Sequence, residues 1–108
     1  MKKTCLVALL ACLPALAVAE DMPTYKLEMK DGVLSTNRIV VAAGKPFRLE
    51  VKNTGKTAAE FESLPLRKEK VLAPGAESVI VFRKISAGEY KFFDEFHLKT
   101  AQGVIIAK

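Results

Sequence analysis

Apolar and polar residues alternate along most of this chain. Phe47, Leu49 and Val51 are separated by Arg48, Glu50 and Lys52, the period of two seen when successive side chains of a strand face opposite ways. Tyr25-Lys-Leu-Glu-Met29 repeats the pattern, and Tyr90 and Phe92 alternate with Glu89 and Lys91. Arg38-Ile-Val-Val-Ala42, Glu77-Ser-Val-Ile-Val-Phe-Arg83 and Gly103-Val-Ile-Ile-Ala-Lys108 are further runs of strand type. Turn residues stand between them: Asp31-Gly32, Ala43-Gly-Lys-Pro46, Asn53-Thr-Gly-Lys56, Ala73-Pro-Gly75 and Ser86-Ala-Gly88. No segment past residue 19 carries a helical period. About seven to eight short strands with turns between them predict one all-β domain over residues 20–108, an antiparallel β-sandwich. The charged run Arg67-Lys-Glu-Lys70 reads as a solvated face.

The start of the chain departs from this pattern. Lys2 and Lys3 precede an almost wholly apolar run, Cys5 to Ala17, and Ala17-Val-Ala19 is a small-x-small cleavage site. Residues 1–19 are therefore expected to be a secretory signal, cut before Glu20 and too short to serve as a membrane span. Leu9-Leu-Ala-Cys12 is a loose lipobox, but cleavage there would leave a very short apolar core. Export predicts a bacterial periplasmic address. The cut also removes both cysteines, Cys5 and Cys12, leaving the mature domain without a disulfide or a thiolate ligand. Its fold must rest on packing, helped by an ion if one binds.

Charge narrows the function classes. The formal net charge of +5 falls to +3 once Lys2 and Lys3 are gone, with fifteen basic residues against twelve acidic. The basic residues are spread along the chain without interleaved aromatic platforms, which argues against nucleic-acid binding. Docking to an acidic partner is the electrostatic role left open. Ser35, Ser63, Ser78 and Ser86 lie in no nucleophile motif. A domain this small also offers little cleft for a glycosidase carboxylate pair.

The candidate chemistry gathers in two places. The only histidine, His97, follows Asp94-Glu95 at the end of the strand beginning Gly88-Glu-Tyr90. A strand, a polar loop and a return strand from Gly103 can hold a metal ion at the rim of a sandwich. Glu60 and Glu62 flank Phe61, so alternation puts both on one face, where they repel unless a cation lies near. Carboxylates with one imidazole form a hard, oxygen-rich set that suits iron, manganese or zinc, whereas copper(I) prefers sulfur.

Phe47-x-Leu-x-Val-x-Asn53-Thr-Gly55, then Ala73-Pro-Gly75, a strand, and Gly88-Glu-Tyr90-x-Phe92-x-Asp94 resemble the cupredoxins. That resemblance implies a Greek-key β-sandwich with copper bound at one end by two histidines, a cysteine and a methionine. Laid on this sequence, Glu60 stands at the first histidine, Asp94 at the cysteine, His97 at the second histidine and Gln102 near the methionine. Glu62 and Glu95 adjoin them. Without the thiolate the set is not a blue-copper site.

The segments Glu60-Phe-Glu-Ser63, Leu66-Arg-Lys-Glu-Lys70 and Phe93-Asp-Glu-Phe-His97 resemble more closely the cysteine-free periplasmic cupredoxins of bacterial iron-uptake systems, of the EfeO-type or FtrB-like kind. This implies binding of Fe(II), a role as a ferrous iron oxidase component, and two partners: an iron permease and a periplasmic metal-binding protein. Glu60, Asp94 and His97 are then the expected ligands, with Gln102 or water completing the shell and Glu62 and Glu95 beside them. A copper carrier using the same loop and a metal-free interaction module are the alternatives.

Overall fold

The computed structural model describes residues 22–108, so the expected signal segment and the expected domain start at residue 20 lie outside the described residues. Nine strands follow in order: β1 (Thr24–Lys30), β2 (Val33–Leu34), β3 (Arg38–Val41), β4 (Phe47–Asn53), β5 (Ala59–Ser63), β6 (Lys68–Leu72), β7 (Glu77–Phe82), β8 (Gly88–Asp94) and β9 (Gln102–Ala107). A 3-10 turn, Glu95–His97, stands between the last two. The strands form two sheets, ordered β2-β1-β4-β7 and β3-β9-β8-β5-β6. The all-β sandwich is as the alternation predicts. Strand direction is not: β1 pairs with β4, and β3 with β9, in parallel. Alternation reports which face a side chain takes and carries no information about the direction of the neighbouring strand. No helix among the described residues is long and apolar enough to cross a membrane.

The inward positions of each strand build the core. Phe47, Leu49 and Val51 of β4, Phe61 of β5 and Phe82 of β7 are buried. Phe47 stacks on Phe82 at 4.6 Å between ring centroids, and Phe61 on Phe92 at 5.3 Å. Each buried phenylalanine contributes about 1.5–3 kcal/mol from the area removed from water. Gly103 makes the close approach of β9 to β8 feasible, because a Cβ there would lie 2.5 Å from the Phe92 ring. The turn Asp31–Gly32 joins β1 to β2 with φ of 46° and 88°, the left-handed pair that suits a two-residue hairpin.

Three polar side chains are buried with the core: Asn53, Ser63 and Asp94. Each is satisfied, as burial demands. Asn53 Nδ2 donates to the carbonyls of Thr57 and Leu72, its Oδ1 accepts from Gly55 N–H, and Ser63 Oγ donates to the Lys91 carbonyl. Asn53 thereby shapes the loop between β4 and β5, which leads to Glu60.

Candidate metal centre

Strand β5 alternates buried and half-buried positions, with Ala59, Phe61 and Ser63 inward and Glu60 and Glu62 outward. The hairpin to β6 sets Glu62 directly opposite Glu69. Like charges in such a cross-strand pair destabilise a sheet. Yet Glu60, Glu62 and Glu69 each bring a carboxylate oxygen to within 4.8 Å of the others. Partial burial raises the Glu60 carboxyl above its ordinary range, as do a hydrogen bond to Glu69 and the charges of Glu62, Glu69 and Glu95. Glu62 is raised too, by partial burial and then by Glu69 and Glu95. The charge of a bound cation would relieve all of these repulsions at once.

Asp94 does something different. It is the N-cap of the 3-10 turn, it pairs with Phe61 in register, and its side chain points inward, 1% exposed. Oδ1 accepts from the backbone N–H groups of Glu60 and Phe96, each at 3.0 Å. Oδ2 lies 2.8 Å from His97 Nδ1. The carboxylates of Asp94 and Glu60 therefore face opposite sides of one sheet.

The other nitrogen of His97, Nε2, is 3.3 Å from Thr57 Oγ1, and the Thr57 hydroxyl donates to Asp31 Oδ1 at 2.7 Å. That same oxygen accepts from the N–H groups of Lys56 and Thr57. The Thr57 hydroxyl and then these two N–H groups hold the Asp31 carboxyl below its ordinary range, against a lesser desolvation and with a smaller contribution from His97. Asp94, His97, Thr57 and Asp31 thus form one hydrogen-bonded chain tying the β8–β9 loop to the β4–β5 loop and the β1–β2 turn. The Thr57 hydroxyl proton is committed to Asp31, so Thr57 offers none to His97 Nε2 and its oxygen stands 3.3 Å from the nitrogen that a metal would need.

The structure divides the residues expected from the sequence. Glu60 and Glu62 come together, and the charge of Glu95 reaches both from the 3-10 turn. Asp94 and His97 come together on the inner side. Gln102 begins β9, and its Nε2 donates to the Leu98 carbonyl at 2.7 Å. It borders a recess lined by Leu64, Phe93 and Leu98. The residue that sequence reasoning missed is Glu69. Its signal lay in the run Arg67-Lys-Glu-Lys70, which is largely solvated as expected and whose entry into strand β6 sets Glu69 opposite Glu62. The basic residues of that run do not neutralise the glutamates, since no lysine or arginine forms an ion pair among the described residues.

Residues 3–107 match the family described as Cupredoxin-like domain. An uncharacterized protein of Rickettsia prowazekii (strain Madrid E) is 30% identical over 98% of this chain and 95% of its own length. Dithionite-reduced auracyanin from Roseiflexus castenholzii superposes with a TM-score of 0.69 at 14% identity, covering 82% of this chain and 99% of that one. Auracyanin A, a blue copper protein of Chloroflexus aurantiacus, gives 0.70 at 11% identity over 82% and 100%. The purple cupredoxin of Nitrosopumilus maritimus gives 0.57 at 13% over 78% and 99%. At these identities the solved structures share the fold.

Proposed function

The chain belongs to the cupredoxin-like domain family, and on that premise we propose that it is a periplasmic metal-binding protein whose cargo is ferrous iron. The observation that carries this reading is the meeting of Glu60, Glu62 and Glu69 within 4.8 Å on the outer face of the β5–β6 hairpin. The repulsion that raises the Glu60 and Glu62 carboxyls draws a hard cation to the same oxygens. Glu95 adds charge at the edge of the cluster.

A blue-copper centre needs a thiolate and two imidazoles. The described residues hold no cysteine and one histidine. Asp94, where the resemblance places the thiolate, has both oxygens engaged. The donors do not fit that centre.

Carboxylate oxygens stabilise Fe(III) more than Fe(II), so they lower the potential of the ion they hold and ease its oxidation. Four ferrous ions then give one electron each to a dioxygen, which takes up four protons and leaves as two waters, and the ferric ion is the form handed to an iron permease. Asp94 holds the backbone of Glu60 and the start of the 3-10 turn in fixed relation, which keeps Glu60 and Glu95 at the same end of the cluster.

Anaerobic loading with Fe(II) followed by admission of air tests the oxidative half of this proposal. Formation of Fe(III) faster than in protein-free buffer supports it. An unchanged rate with binding intact makes the protein a carrier and removes the oxidase role.

A further inference from the structure

Strands β6 and β7 are each an edge strand, one of either sheet. Between them opens a groove of about 320 Å³. Its floor is apolar: Phe82, fully buried, with Leu66 and Ile85 half-buried beside it. Its walls carry four cations, Arg67, Lys68, Arg83 and Lys84, and no acid. None of the four has an ion-pair partner among the described residues.

This arrangement differs from an ordinary solvated face. Elsewhere on the sheet that contains β7, unlike charges stand opposite one another in register, Lys26 with Glu50 and Lys52 with both Glu28 and Glu77. The groove gathers one sign. It does so at a backbone cost, because Arg67 sits at φ 56°, a left-handed conformation that glycine would adopt more readily. Lys68 extends across the Phe82 ring, its Nζ 5.8 Å from the centroid, so the side chain covers the apolar floor while its charge stays at the rim.

We propose that this groove docks an extended, acidic segment of a partner protein, in which carboxylates alternate with apolar side chains. The carboxylates would pair with Arg67, Arg83 and Lys84, the arginines offering two-pronged contacts. An apolar side chain would seat on Leu66 and Ile85. The unpaired backbone groups along β6 and β7 are open to an added strand. A recess flanked by charges on two edges suits a segment better than a flat membrane surface. Arg67 and Lys68 also border a recess containing Glu62 and Glu69, so a docked partner would lie beside the carboxylate cluster. The inference does not depend on metal binding.

The test uses a fluorescent peptide of alternating glutamate and valine, titrated into the mature protein at low and at high salt. A lysine–valine peptide and phosphatidylglycerol vesicles serve as comparisons, and sedimentation reports self-association. Binding of the glutamate peptide should weaken with salt and fall by roughly tenfold or more in Arg83→Ser/Lys84→Ser. The charge-matched control Lys26→Ser/Lys30→Ser should leave it unchanged. Arg67→Gly should weaken binding while holding or raising the melting temperature, a combination that a purely structural arginine would not give. Equal loss in the groove and control variants, no binding of the glutamate peptide, binding to vesicles alone, or self-association that the groove variant abolishes would each overturn the proposal.

Discussion

The backbone N–H of Glu60 donates to Oδ1 of Asp94 at 3.0 Å. A buried acid at the end of β8 thus fixes the strand whose outward side chains form the carboxylate cluster. Inner and outer faces of one sheet are coupled through a single carboxylate. The same oxygen accepts from Phe96 N–H, and the second oxygen meets His97.

Removing that carboxylate should therefore be costly. Asp94→Ala strands two backbone donors and the His97 ring, and is expected to lose about 3 kcal/mol of stability. In a domain of this size that is a fall in melting temperature of roughly 10–20 °C. Asp94→Asn keeps an acceptor for the two N–H groups and should lose less. Thermal unfolding of both variants distinguishes this bracing role from a purely solvent-facing acid, for which neither change would matter.

The acidic cluster predicts a pH signature of definite sign. Glu60 and Glu62 have carboxyl pKa values raised in the fold, so the folded state holds protons that the unfolded chain has already lost. Stability then falls as pH rises from the ordinary carboxylate range through the raised values. Glu69→Gln removes one of the repelling charges and should melt at higher temperature than wild type at neutral pH. The gain should vanish near about pH 3, where the carboxyls are protonated. A gain that persists there would point to a cause other than charge.

Gly55 guards the latch on the other loop. A Cβ at this position would lie 2.6 Å from Asp31 Oδ1 and 2.7 Å from Asp31 N. Gly55→Ala must push Asp31 away from Lys56 and Thr57, at an expected loss of about 1–3 kcal/mol. Asp31 has a pKa lowered in the fold, so its contribution is present above the ordinary carboxylate range and is lost as pH falls through the folded value. In Gly55→Ala the Asp31 carboxyl should titrate closer to its ordinary value, which NMR of the side chain reads directly. An alanine that leaves both stability and titration unchanged would show that the latch adjusts freely.

Much of this fold is legible in the sequence because burial imposes a period of two. The alternation at Phe47–Val51 names the inward residues of β4, and Asp31-Gly32 names the hairpin turn. The same rule correctly placed Glu60 and Glu62 on one face. Other features depend on which strands become neighbours, and local pattern does not contain that. The parallel pairing of β1 with β4 is one. The meeting of Glu62 with Glu69 is another, because it depends on the register of a hairpin whose second strand is a polar edge, with Val71 outward and exposed. The inward turn of Asp94 could have been read from Phe92 two residues earlier, which shares its face. Asp94, expected as a metal ligand, caps a turn and braces a histidine in the fold.

The most direct measurement is an anaerobic titration of the metal-free mature protein with Fe(II), run in parallel on Glu62→Gln/Glu69→Gln and with Cu(II) and Zn(II) as competitors. One Fe(II) is expected per chain, with affinity reduced at least about tenfold in the variant because two of the three oxygen donors lose their charge. Binding that is unaffected by the double substitution would contradict the carboxylate site. No Fe(II) binding at all would leave the sandwich as a protein-docking module.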